Sequence, residues 1–165
     1  MRSDVTLRPL DEDLLKQLLD AAVAGADPSD VMPPVPGPPG WTPERRTAFL
    51  QFHRSRTLAA EPVEATYAIL VGQKVVGAAR LYPLPEPQRT AEAGVWIGRT
   101  ERGHGVGGAV LKQLLALAHA DGFESVFVST TPDNTPVLKL LKRLGVKLTQ
   151  KGDTLTAWVN PAALR

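Results

Sequence analysis

The most informative part of the chain is residues 95–122, which read VWIGRTERGHGVGGAVLKQLLALAHADG. A short apolar run ends at Gly98, and a basic loop rich in glycine follows it. Apolar residues then recur at helical spacing, at Val110, Leu111, Leu114, Leu115 and Ala118. The stretch therefore predicts a strand, a loop and a helix in succession.

The loop has the composition of an anion-binding site. Glycine lets the backbone adopt positive φ angles and lets a ligand approach the main chain closely. The first amides of the next helix lack partners within the helix, and its dipole attracts anions. One or two glycines would only shape the turn, but four lie beside Arg99 and Arg102, namely Gly103, Gly105, Gly107 and Gly108. We therefore expect backbone amides here to bind a phosphate.

Two general phosphate-loop patterns fit the sequence poorly. A Walker A loop ends in Gly-Lys-Ser/Thr, whereas Gly108 is followed by Ala109 and Val110. The dinucleotide pattern G-x-G-x-x-G is present at 103–108, but it normally belongs to a repeated βαβ fold with an acidic residue after the next strand. Here the next strand ends in Ser-Thr-Thr at 129–131. NAD(P) binding stays open as the alternative with less support.

The remaining segments predict further strands and helices. Strands are predicted over 4–10, 64–83, 91–98, 124–130 and 146–159, and helices over 11–25, 44–59 and 135–145. The segments 64–83 and 146–159 each form a hairpin. Residues 27–43 hold seven of the fifteen prolines, so they are predicted to form a loop without a helix. Gly94 indicates a bulge in its strand.

This order of elements defines the expected fold. We predict a single domain over residues 1–165 of the mixed α/β (α+β) class. Its central sheet is mixed and mostly antiparallel, with one parallel pairing at the glycine loop and helices on both faces. A chain of this length can bury a core without disulfides.

Composition argues against several classes of function. The net charge of +2 is small despite a pI of 9.1, which gives no case for nucleic-acid binding. Without cysteine there is no disulfide, thiolate metal site or cysteine nucleophile. The three histidines, His53, His104 and His119, have no metal-binding spacing, so no metal is predicted. No secretory signal or apolar run of about 20 residues is seen; we therefore expect a cytoplasmic protein that does not bind membranes.

The sequence RGHGVG, residues 102–107, resembles the Arg/Gln-x-x-Gly-x-Gly/Ala signature of the GNAT superfamily of N-acetyltransferases. The strand before it and the helix after it are similar to the family's arrangement. So is NTPVLKLLKRLGV, which begins at Asn134. The resemblance is specific over about residues 91–146. It implies the GNAT fold, acetyl-CoA as cofactor, and acetyl transfer to an amine of a small molecule or a protein, and it leaves room for a homodimer.

The resemblance also implies roles for individual residues. Val95, Trp96 and Ile97 would line the pantetheine arm, and Asn134, which is also a good N-cap, would contact the cofactor. The pyrophosphate would be held by Arg102, Gly103, His104, Gly105, Val106, Gly107 and Gly108. Glu92 stands on the strand where several members of the family place a carboxylate that works through water. It is the candidate general base, and the alternative is a solvated surface carboxylate.

The chain departs from the family pattern at Leu141, where the family usually has a tyrosine as proton donor. Leucine cannot donate a proton, so three alternatives are open. A thiolate, whose conjugate acid has a pKa near 8.5, leaves unaided; Tyr67 or Tyr82 donates the proton; or the chain binds CoA esters with little or no catalysis. In the family the first half of the chain shapes the acceptor side. We therefore expect the loop 27–41 and Trp41, Phe49 and Phe52 to form its wall, although these aromatics are equally compatible with the core.

Overall fold

The computed structural model describes residues 3–163, and a seven-stranded sheet runs through this part of the chain in the order β1-β2-β3-β4-β5-β7-β6. The strands are β1 Val5–Pro9, β2 Ala65–Val71, β3 Lys74–Pro83, β4 Thr90–Ile97, β5 Ser125–Thr130, β6 Thr149–Lys151 and β7 Thr154–Val159. Neighbouring strands are antiparallel except β4 and β5, which are parallel. The predicted mixed, mostly antiparallel sheet is confirmed.

Five helices accompany the sheet in this part of the chain: α1 Glu12–Gly25, α2 Pro28–Val31, α3 Pro43–Arg56, α4 Val106–Ala120 and α5 Thr135–Arg143. Side-chain caps begin three of them, because Asp11, Thr42 and Asn134 accept hydrogen bonds from backbone amides in the first turns of α1, α3 and α5. Helix α4 instead begins at Gly105 without a side-chain cap. Its first amides are therefore left for another partner.

The sheet separates two cores, so the prediction of helices on both faces is confirmed. Helices α4 and α5 pack on one face with residues such as Leu114, Leu141 and Val126. Helices α1 and α3 pack on the other face with residues such as Leu15 and Phe49. Side chains of a strand alternate between the two faces. The side chains of neighbouring β4 residues therefore face opposite sides of the sheet.

The proline-rich segment holds one turn of helix, so the prediction of a loop without a helix is wrong at α2. Pro28 occupies the first position of α2, where proline's fixed φ suits the helix and its missing N–H is not needed. The segment after α2 is a loop held by the guanidinium of Arg45. It donates hydrogen bonds to four backbone carbonyls, those of Val35, Gly37, Pro38 and Gly40.

The predicted bulge at Gly94 is also wrong. Strand β4 pairs with β3 in regular register at this point, with Gly94 opposite Arg80. The irregularity lies instead between Ile69 and Leu70 of β2. Gly94 makes room for a side chain, because a Cβ built on it would lie 2.8 Å from Nε of Arg80.

The sheet forks between β4 and β5. The two strands pair over three positions, and the last of these joins Glu92 to Phe127. Beyond it β4 continues to Ile97, while β5 remains paired with β7. From Ala93 onward, the edge of β4 that faces β5 therefore lacks a strand partner among the described residues. Within residues 3–163 no helix combines the length and apolar character needed to cross a bilayer.

Candidate active site

A cavity of about 380 Å³ opens where the two strands separate, and we call it the β4–β5 cleft. It brings together six of the residues predicted to bind cofactor: Val95, Trp96, Ile97, Arg102, Gly107 and Asn134. Val95 is 43% exposed, which is unusual for valine. The cleft thus joins the free edge of β4 to the start of α4 and the start of α5.

The glycine loop lies at the mouth of this cleft. Gly103 and Gly105 both have φ of 79°, a left-handed conformation that side chains disfavour. Arg102 donates a hydrogen bond of 2.8 Å from Nε to the carbonyl of Ile97, which ties the loop to the end of β4. Val106 and Gly108 are buried at the first turn of α4, so each can offer a ligand only its backbone. His104 is exposed on the loop.

This arrangement fits a pyrophosphate. The amides that begin α4 have no side-chain cap, and the helix dipole favours an anion beside them. Within the cleft, the hydroxyl oxygen of Thr130 is buried and has no hydrogen-bond partner among the residues that the structure describes. Buried polar atoms are normally paired, so this hydroxyl offers a hydrogen bond to a polar ligand. Asn134 both caps α5, with 3.4 Å to the amide of Val137, and lines the cleft.

A second cavity, also about 380 Å³, lies on the opposite face of β4, and we call it the α3 cavity. Its floor is formed by strand residues that include Thr66, Ala78 and Gly94, and its wall by Phe52 and His53 of α3. The segment 29–33 forms its rim. Asp30, Val95 and Trp96 line both cavities, so the two cavities adjoin at the end of β4.

An ion-pair network lies beside the α3 cavity. The Glu64 side chain is only 1% exposed, and it pairs with Arg56 at 3.2 Å and with Arg80 at 3.5 Å. Its hydrogen bond raises the pKa of Arg56. Arg80 also pairs with Glu92 at 3.5 Å. The guanidinium of Arg56 lies over the Tyr82 ring at 5.5 Å. The charges of two carboxylates and two guanidiniums therefore balance one another in this network.

Glu92 stands at the fork of the sheet, in this network. It is the last residue of β4 paired with β5, and its side chain is 41% exposed. It lies outside the set of described residues that line the two cavities, but its partner Arg80 lines the α3 cavity. The candidate base is therefore placed next to the α3 cavity rather than inside it.

His53 was assigned no role from the sequence, yet it lines the α3 cavity. It is 5% exposed, and both of its ring nitrogens are buried without a hydrogen-bond partner in the described part of the chain. The rings of Phe49 and Phe52 pack edge-on against it, with centroids at 4.7 and 5.2 Å. Burial lowers the pKa of His53 to about 4, with a further lowering by Arg56 and an opposing effect of Glu64. The imidazole is therefore neutral at physiological pH.

The aromatic residues expected around the acceptor divide between cavity and core. Phe52 lines the α3 cavity, as expected. Phe49 is fully buried and belongs to the core. Trp41 packs against Phe49 at 5.7 Å and donates from Nε1 to the carbonyl of Ala26 at 2.9 Å, so it anchors the loop.

The candidate proton donors do not reach the two cavities. Leu141 is fully buried in the core beneath α4. Tyr67 is in the same core, where burial raises its pKa. Tyr82 lies under Arg56 in the ion-pair network. Among the described residues neither tyrosine lines the β4–β5 cleft or the α3 cavity, and no group of His, Asp or Glu side chains is placed to hold a metal.

Sequence reasoning missed most of the α3 cavity. Its residues come from α2, α3, β2, β3 and β4, and no local pattern joins these segments. One signal was present, because Phe49 and His53 are four residues apart and therefore share a helix face. That spacing puts a histidine on the apolar side of α3. In the β4–β5 cleft the missed residues include Asp30, Ser129 and Thr130.

Comparison with known proteins agrees with this geometry. Residues 31–146 match the Acetyltransferase (GNAT) family, and the chain belongs to that family. It is therefore an N-acetyltransferase, and members of the family generally use acetyl-CoA. The resemblance noted from the sequence is confirmed.

Solved structures with the same fold cover nearly the whole chain. One is a mutant form of the spermidine/spermine N-acetyltransferase SpeG from Vibrio cholerae, with 15% identity, 98% of this chain and 96% of that chain covered, and a TM-score of 0.67. Another is the GNAT domain of PAT from S. lividans, with 17% identity, 94% and 90% coverage, and a TM-score of 0.65. At these identities the likeness shows the fold.

Proposed function

We propose that this chain transfers an acetyl group from acetyl-CoA to a primary amine, with the cofactor in the β4–β5 cleft and the acceptor in the α3 cavity. The observation that carries the proposal is that Val95 and Trp96 line both cavities. Bound acetyl-CoA supplies an acetyl group activated as a thioester. Ligands in the two cavities would therefore lie on either side of the same two residues of β4, which supports a reaction between them at this end of the strand. We treat residues 1–165 as one catalytic domain.

The cofactor would be held mainly by backbone groups. Amides between Arg102 and Gly108, including those of Gly103, His104, Gly105, Val106 and Gly107, are proposed to bind the pyrophosphate. The free edge of β4 at Val95, Trp96 and Ile97 would bind the pantetheine arm. Asn134 and the unpartnered hydroxyl of Thr130 would contact it from the other side.

Glu92 is proposed as the general base that takes the amine's proton through water. Its place at the fork, one ion pair from the α3 cavity, supports this role. At Leu141 the buried side chain has no proton to give. A thiolate whose conjugate acid has a pKa of about 8.5 is an adequate leaving group near neutral pH without a protein acid.

The acceptor could be a small amine or an amine of a protein. Several proteins of similar structure are spermidine N-acetyltransferases, so polyamines belong among the candidates to be tested. A chain that binds CoA esters with little transferase activity is not favoured, and the single βαβ unit gives no support to NAD(P) binding. A homodimer and a cytoplasmic location remain predictions.

A thiol-release assay with acetyl-CoA and a panel of amines tests the proposal. We expect CoA release that depends on the amine, together with thermal stabilisation by CoA and none by NAD(P). Stabilisation by CoA without turnover on any amine would favour the binding module. Stabilisation by NAD(P) alone would contradict the site assignment.

A further inference from the structure

We propose that His53 is the polar group that binds the acceptor amine in the α3 cavity, and that the acceptor is a compact monoamine with an apolar body. The inference rests on the proposed function, because it concerns the second substrate of the same reaction. It goes further by naming the residue that recognises the amine and the class of amine recognised.

The first argument is the state of the imidazole. Among residues 3–163 neither buried nitrogen of His53 has a hydrogen-bond partner, although the side chain lines a cavity. Leaving a buried polar group unpaired is unfavourable, and native proteins keep few such groups. A ligand in the α3 cavity would satisfy it. A neutral imidazole has one nitrogen that accepts a hydrogen bond and one that donates, so an amine N–H can bind to the accepting nitrogen.

The second argument is the charge around His53. The charged groups facing the site are Arg56 of α3, Glu64 before β2, Arg80 of β3 and Asp30 of α2. Glu64 is engaged by both arginines, and Arg80 is engaged by Glu92 as well. Asp30, at the exposed rim, is the acidic residue among those that line the cavity. A ligand with several ammonium groups would therefore lack carboxylates to balance its charge in this cavity, whereas a ligand with one amine group can bind.

The third argument is the wall of the cavity. Phe52, Trp96 and Met32 present apolar and aromatic surface, while Ala78 and Gly94 keep the floor open. At about 380 Å³ the space is near the lower end for ligand cavities. An apolar body of modest size therefore fits better than a long, charged chain.

The test compares phenethylamine with spermidine as acceptors of the native chain and of two variants. His53→Leu removes both nitrogens, and His53→Gln keeps a donor and an acceptor. His119→Gln, an exposed histidine at the end of α4, is the matched control. We expect the native chain to favour phenethylamine. We expect His53→Leu to lower kcat/KM for phenethylamine about 30-fold, mainly through KM.

Three further readouts separate recognition from structure. The KM for acetyl-CoA should stay unchanged in His53→Leu, and its melting temperature should be no lower than that of the native chain. His53→Gln should recover part of the lost kcat/KM.

Equal use of phenethylamine by the native chain and His53→Leu would overturn the role of His53. A preference of the native chain for spermidine would overturn the acceptor class. If the native chain acetylates no amine, the proposed function fails and the inference fails with it.

Discussion

The two cavities on either side of β4 are built in different ways. The β4–β5 cleft depends on the backbone: positive-φ glycines, uncapped helix amides and a strand edge without a partner. The α3 cavity depends on side chains from five separate elements, with Arg80 and His53 among them. A site made of backbone should tolerate most side-chain changes but no change of backbone conformation. A site made of side chains should show the opposite behaviour.

The largest effect is expected from Gly105→Val. Valine disfavours φ of 79° and would place a branched side chain at the start of α4. We expect CoA affinity to fall at least about 300-fold, or about 3.4 kcal/mol, by isothermal titration calorimetry. Gly122→Val is the matched control, because Gly122 has φ of 89° at the other end of α4. The Gly122→Val variant should lose comparable stability and keep its CoA affinity. Equal losses of affinity in both variants would refute the proposal that the glycine loop binds the pyrophosphate of CoA.

In the ion-pair network beside the α3 cavity, Arg56→Met should have the next largest effect, a loss of stability. It leaves the buried Glu64 with Arg80 as its remaining partner, and breaking a buried ion pair typically costs about 3 kcal/mol. Urea denaturation measures the free energy of unfolding. Arg54→Met, on the same helix, breaks a solvent-exposed pair with Glu12 and should cost much less, because water already screens that pair. Equal losses in the two variants would mean that the network beside the α3 cavity is not a buried one.

Replacing Glu92 by glutamine tests whether this residue, located where β4 and β5 separate, acts as the general base. A general base contributes at least about 100-fold to the rate, or about 2.7 kcal/mol. We expect kcat to fall by about that factor and the pH dependence of kcat/KM to change. Glu124→Gln removes an exposed carboxylate paired with Arg89 and should leave both unchanged. An unaltered pH profile in Glu92→Gln would remove Glu92 from the base role.

The smallest effect concerns the pH dependence of stability at His53. Its pKa is about 4 in the folded chain, against the ordinary value of 6.5 for a histidine exposed to water. Above pH 6.5 the residue is neutral in both states; as the pH falls towards 4 the unfolded state binds a proton first, and stability is lost. By pH 5 this amounts to about 2 kcal/mol.

The variant His53→Leu removes that loss. Its unfolding free energy relative to the native chain should therefore rise by about 2 kcal/mol between pH 7 and pH 5. His53→Gln, which also cannot titrate, should show the same rise. A constant difference across this pH range would mean that the imidazole is not held neutral by burial.

The sequence allowed prediction of the features that a single segment contains. The glycines, the amphipathic pattern of α4 and the cap at Asn134 are each contained in one short segment. The fold class could therefore be predicted from the sequence, whereas anion binding by the glycine loop stays a prediction. The role of Gly94 could not be predicted locally, because this glycine accommodates the side chain of Arg80 from the neighbouring strand β3. The unpaired imidazole of His53 likewise depends on which residues α3 packs against. Leu141 showed only that the tyrosine proton donor usual in the family is missing.

The hydrogen bonds from Arg45 to the proline-rich loop do not depend on the side chains of the loop. Its guanidinium binds backbone carbonyls at Val35, Gly37, Pro38 and Gly40, and backbone carbonyls are present whatever side chains the loop carries. The loop can therefore exchange side chains while retaining its path. A lineage that keeps this arginine is free to change the side chains at the neighbouring rim of the α3 cavity while the path of the loop stays the same.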